Sequence, residues 1–473
     1  NTIRSGLVTT ITGSALDLES VTAGTDIILT STSGGIGAIG ALSAGHDLTI
    51  TSAAGGSFAD LSAGDDIRIT ANSNVSAATL LTTAGGADNE ADNSGAYITT
   101  PGSIAITGAT NTVGQTRLTA GGTVDAGAIN ADYTFIDAVG AVNITGDVTS
   151  GGMFIEGSSV ALRNANGLSN QILLRATSGD VTANGNVTTL ADLQVQATGA
   201  ITISGAASGG NFVEMIGGSI AVADVSSNSF VTLRSNSGAI NSTGTISAGG
   251  DVFINAATGG TFNAITAGDD VSIGAGGDVT IASIAAEGSN PQGEEIGSNV
   301  SGTITGVLTV TGSTFANDDV NFSATSMSLQ DVTAGGSFTA TTTGGPLTLV
   351  SADVANNITL TSARDVVATG LLQSGGDTTA TGRNLNLRSI AADGDVDLTA
   401  TVGTIATGGS VSGFNVTYDA NGDITHDSDG LINAANILTL TAGGNIAVGN
   451  ATSGDNMRFT AGGTIDANAL TAG

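Results

Sequence analysis

The sequence contains no cysteine, no tryptophan and no lysine, and only three prolines and two histidines. Without cysteine there is no disulfide, no thiolate metal site, no iron–sulfur cluster and no thiol nucleophile. Two histidines and no cysteine also leave transition-metal catalysis poorly supplied with ligands. Without lysine, the glycine-rich stretches cannot be a phosphate loop, which needs Gly-Lys-[Ser/Thr]. Aromatic residues are 3% of the chain, so the interior must be thin and filled by Val, Ile, Leu, Ala and Thr. Bases are scarce: 10 arginines stand against 41 acids, for a net charge of −31. Such a surface repels phosphate backbones and anionic lipid, so neither nucleic acid nor membrane insertion is expected. It attracts divalent cations, and it also keeps a long repetitive chain soluble. No apolar run is long enough to span a bilayer. The opening NTIRSG lacks the basic and apolar regions of a signal peptide, so the chain reads as a segment of a longer, processed polypeptide. Scarce proline and no strict Gly-x-y period exclude collagen, and 40% hydrophobic residues argue against disorder.

What is present is a short phrase, repeated along the whole length: apolar-[Ser/Thr]-Ala-Gly-x-Asp-apolar-x-apolar-Thr. It reads VTAGTDIILT from Val21, LSAGHDLTIT from Leu42 and LSAGDDIRIT from Leu61. It returns as ISAGGDVFIN from Ile246, ITAGDDVSIG from Ile265, LTAGGNIAVG from Leu440 and FTAGGTIDAN from Phe459. Its alanine recurs at Ala23, Ala44 and Ala63, and again at Ala248 and Ala267. A unit this short cannot bury a core alone and must stack on its neighbours. Within it, residues alternate: Ile67 and Ile69 point one way, Asp66 and Arg68 the other. A second marker, GGSF at Gly55 and Gly335 or GGTF at Gly259, opens another apolar strand such as Phe58 to Leu61 or Phe262 to Ile265. The Ala-Gly and Gly-Gly pairs read as corners, where glycine permits positive φ. The reading is an all-β parallel β-helix (β-solenoid) with rungs of about 19–21 residues, two or three strands each, over residues 1–473. An array of β-sandwich domains would repeat at far longer periods and carry more aromatics. Roughly 23 rungs at a spacing of about 4.8 Å predict a rod on the order of 110 Å.

A longer duplication overlies the short one. Asp47 answers to Asp251, Asp65 to Asp269 and Glu90 to Glu294, each at an offset of 204. The copies cover about 42–245 and 246–449, and each runs into an acidic insertion, 85–97 in one and 286–299 in the other, expected to project as loops. Neither end shows a polar cap, so end-to-end self-association or continuation in a longer chain is expected.

Candidate chemistry is sparse. Asp26, Asp47 and Asp66 should lie on successive rungs, where close like charges need compensation. One answer is that each Asp accepts N–H bonds from its own turn. The other is a cation such as Ca²⁺, to which Asp65–Asp66, Asp269–Asp270 and Asp318–Asp319 would add oxygen ligands. The turn reading is preferred, because neither an EF-hand loop nor the Gly-Gly-x-Gly-x-Asp nonapeptide repeats here. No cofactor, catalytic residue or metal ligand is therefore assigned. His46, at the variable position of its phrase, reads as an exposed corner residue. His426, among Asp423, Asp427 and Asp429, reads as part of an acidic turn. Thr-x-Thr triplets such as Thr49–Thr51 and Thr439–Thr441 are too irregular in sequence for a continuous ladder and fit strand propensity. The arginines are scattered and Tyr97, Tyr133 and Tyr418 dispersed, which offers no sign of an enzyme's sugar groove.

The rung phrase, its short step and its AGGD/AGGT corners resemble the shaft repeats of filamentous haemagglutinin-type adhesins, large bacterial exoproteins of two-partner secretion. That resemblance implies a right-handed β-helix, secreted unfolded and folded outside the cell. The family's N-terminal secretion domain with Asn-Pro-Asn motifs is not in this sequence. The resulting expectation is an extracellular structural or adhesive segment at a bacterial cell surface, acting in adhesion, biofilm matrix or filament assembly, with a host-surface or matrix glycan as a candidate partner. The competing expectation is a carbohydrate-processing β-helix of the tailspike or polysaccharide-lyase type, which would use paired carboxylates.

Overall fold

In the computed structural model, residues 2–83, 94–288 and 297–473 are described. They form parallel β-strands joined by short corners, with no α-helix among the described residues. The chain divides into two compact units, one of residues 1–228 with 234–236, the other of 229–233 with 237–473. Each is a β-solenoid, and together they hold about 24 turns.

A turn has three strands, one on each of three parallel sheets. In the first unit, Ile27–Ser31, Ile36–Ala38 and Leu42–Ala44 make one turn, and Leu48–Ser52 begins the next. Successive turns are in register: Ile27 pairs with Leu48, Ile36 with Gly56 and Leu42 with Leu61. The second unit repeats this plan, with Val320 paired to Phe338, Met327 to Leu347 and Val332 to Ala352. The sheet containing Ile27–Ser31 in the first unit, and that containing Val320–Ala324 in the second, is called the first sheet below, and the other two follow in chain order.

The alternation read from the sequence sets the core. Ile67 and Ile69 are buried, while Arg68 between them is exposed. The largest fully buried side chains are Tyr418, Phe262, Phe322 and Phe338, followed by Ile and Leu. Burying each such side chain contributes about 1.5–3 kcal/mol, and stacking carries that gain from turn to turn.

The corner glycines of the phrase have a different cause from the one expected. Gly259, in the second marker, does have positive φ, but Gly24, Gly45 and Gly64 do not. A Cβ on Gly45 would instead lie 2.2 Å from the Gly24 carbonyl oxygen, and one on Gly64 2.0 Å from that of Gly45. The corners stack too closely for any side chain.

The duplicated segments build the same strands. Leu48–Ser52, Gly56–Ala63, Ile67–Ala71 and Val75–Thr82 answer to Val252–Ala256, Gly260–Ala267, Val271–Ala275 and Val279–Ala286. Most of each acidic insertion, residues 84–93 and 289–296, lies outside the described residues.

Candidate functional site

Over runs of adjacent turns, the residue just before the first-sheet strand forms a column along the corner. Asp47 N–H donates to Asp26 Oδ1 (3.3 Å), Asp66 N–H to Asp47 Oδ1 (3.2 Å) and Gly95 N–H to Asp66 Oδ1 (2.8 Å). The aspartates therefore serve the next turn, and not their own turn as expected. At a corner the backbone changes direction, so its N–H groups lose their ladder partners; a short side-chain acceptor from the turn before replaces them. In the second unit the column runs through Asp251, Asp270, Asn299 and Asp319 to the Ser337 N–H. It resumes through Asn357, Asp377, Asp395 and Asn415 to the Ile437 N–H. Asp and Asn interchange because both offer Oδ1.

Beside this column in the first unit sits the one group of three or more acid and histidine ligand atoms found close together among the described residues: Asp26, His46 and Asp47. His46 Nδ1 is 3.2 Å from Asp26 Oδ1 and 3.7 Å from Asp47 Oδ2. All three are half-buried, so His46 is not the exposed corner residue expected. Leu7, Val8, Gly24, Thr25 and Gly45 line the same groove, with Leu7 and Val8 exposed to solvent. One turn on, Asp65 takes the His46 position, its N–H donating to the His46 carbonyl (3.0 Å). Asp65 is only 4% exposed, and its Oδ1 has no hydrogen-bond partner. Burial raises the Asp47 carboxyl pKa above its usual value, and the charges of Asp65 and Asp26 add to the rise; the Asp66 N–H and His46 oppose it.

His426 also departs from expectation. It ends the strand Ile424–His426 with its ring in the core, 6% exposed, and its Nδ1 lies 2.7 Å from Thr407 Oγ1. Its Nε2 faces Gly430 without a well-formed hydrogen bond. Asp423 instead accepts the Asn445 N–H (2.6 Å) as part of a corner column. Tyr418 is fully buried beside Thr407, its hydroxyl without a well-formed bond, and burial pushes the phenol pKa upward.

Two arginines and three aromatic residues converge on the outer face of the first sheet. Register places Arg68, Tyr97, Arg117, Phe135, Phe154 and Leu173 on consecutive turns. The Arg68 guanidinium lies 4.9 Å from the Tyr97 ring centre, and that of Arg117 4.3 Å from Phe135. Phe135 and Phe154 stack at 4.9 Å with planes 11° apart. Arg117 and Phe154 cover the two faces of the Phe135 ring, so the row joins turns through stacking and cation–π attraction.

Threonines also align, contrary to the irregularity seen in sequence. In the first unit Thr12, Thr30, Thr51, Thr70, Thr99 and Thr119 pair in order. In the second unit two columns run side by side. One holds Thr339, Thr359 and Thr379, then Asp397, Thr417 and Thr439; the other holds Thr341, Thr361, Thr381 and Thr399, then Asp419, Thr441 and Thr460. Turns of unequal length hide this order in the sequence; only the register of the sheet reveals it.

No family model, curated protein or solved structure matches the chain.

Proposed function

We propose that this chain is an extracellular structural or adhesive β-solenoid segment of a bacterial surface protein, acting by spacing and display. The observation that carries the reading is the double threonine column on the first sheet of the second unit. It offers hydroxyl and methyl groups at two regular intervals: about 4.8 Å between turns and about 6.6 Å between alternate residues of a strand. A repeating surface suits a repeating ligand, such as a matrix or host-surface polysaccharide, because many weak polar contacts add when their spacing is fixed. The corner columns and the aromatic row support the structural half of the proposal, since their side chains are spent on joining turn to turn. Filament assembly or adhesion would both use such a scaffold.

Co-sedimentation with insoluble polysaccharides tests it, using the full chain and a Thr359→Glu/Thr379→Glu variant of unchanged circular dichroism. Binding to at least one polymer, lost in the variant, is the expected result. Equal binding by the variant would remove the threonine face from the proposal. Release of new reducing ends or unsaturated sugars would replace it with the carbohydrate-processing reading.

A further inference from the structure

We propose that Asp26, His46 and Asp47 bind a divalent metal ion of the Zn²⁺ type at the corner of the first unit. Their ligand atoms lie within 4.8 Å of one another. Two donors each about 2.1 Å from a tetrahedral ion stand about 3.4 Å apart. The separations of His46 Nδ1 from Asp26 Oδ1 and Asp47 Oδ2, 3.2 and 3.7 Å, bracket that value. One imidazole with carboxylates favours Zn²⁺ and its neighbours over Ca²⁺, which takes oxygen ligands.

A second, independent observation points the same way. Asp65 is buried with an unpartnered Oδ1, stacked directly on the His46 corner. Asp66 has Arg68 as a counter-ion at 2.5 Å, whereas Asp47 has the His46 ring, its Nδ1 3.7 Å from Asp47 Oδ2. A buried carboxylate among others is costly unless a cation offsets it. A dication at this corner offsets the carboxylates of Asp26, Asp47 and Asp65. In the duplicated corner Gly250 takes the place of His46 beside Asp251, so that corner lacks the nitrogen ligand and serves as an internal control. The site does not depend on the shaft reading above.

The test uses the full chain, stripped with chelator and titrated with Zn²⁺ alone. Calorimetry follows binding, and long-range ¹H–¹⁵N spectra follow the two histidine rings. The expected result is one site whose filling shifts the His46 ring and leaves the buried His426 ring in place. His46→Ala should weaken that site at least 100-fold. Asp65→Asn should weaken it about 10-fold, in the range of outer-shell ligand partners, while raising the melting temperature of the metal-free protein. Asp251→Asn should leave it unchanged. Zn²⁺ that leaves the His46 resonances unmoved, or a His46→Ala variant that binds like the parent, overturns the proposal; the first of these needs no variant at all. A site that prefers Ca²⁺ with His46 unperturbed overturns it equally, since the ligands would then be carboxylates alone.

Discussion

At the residue scale, His426 gathers several opposing effects. Burial lowers its pKa below 6.5, against the smaller opposite pull of the Gly430 backbone and the Asp427 charge. The unfolded chain therefore takes up the proton more readily than the native one. The stability that follows is fully present above about pH 6.5 and is lost as pH falls through the lowered native value. Urea titrations at pH 7 and pH 5 should show a steeper loss for the parent than for His426→Leu; parallel losses would mean that the ring titrates as though exposed. The same residue shows why burial could not be read from the chain. In the sequence His426 sits among three aspartates and looks like a turn, but alternation along Ile424–His426 points its ring inward.

At the scale of the element, the corner is the unit that matters. Its glycine is demanded by the carbonyl of the turn before, and its Asp or Asn caps an N–H of the turn after. Asp270 accepts the Asn299 N–H at 2.8 Å, and removing a charged acceptor from a part-buried N–H costs about 1.5–3 kcal/mol. Asp270→Ala should lower stability by that amount in chemical denaturation. Asp270→Asn should cost far less, because Asn299, Asn357 and Asn415 fill the same role in the column. Equal losses in both variants would show that charge, not the Oδ1 acceptor, does the capping. The phrase Ala-Gly-x-Asp announced a corner with an acid in it. It could not say whether that acid bonded within its own turn or to the next, since corners far apart along the chain become neighbours only by stacking.

At the scale of the whole molecule, each solenoid is held by contacts between adjacent turns, so damage should spread by neighbours. Phe322 is fully buried on the first sheet, paired with Gly302 on one side and Ala340 on the other. Phe322→Ala should cost about 3–5 kcal/mol. Amide hydrogen exchange should locate the loss in the strands Val300–Ile304 and Phe338–Thr342, with strands of the first unit little changed. Uniform acceleration across the chain would instead indicate one cooperative core.

The sequence by itself determined the fold class, the alternating core and the stacking of short turns, because so short a repeat with period-2 alternation has few other ways to bury its apolar residues. It also marked the duplicated segments, since an ungapped offset survives without any structure. Tertiary structure alone decided which residues meet across turns: Arg68 with Tyr97, Phe135 with Phe154, threonine with threonine, and Asp26 with His46. These partners stand a full turn apart along the chain, at spacings that vary with each corner and insertion. Only the register of the sheets converts that uneven sequence into straight columns on the surface.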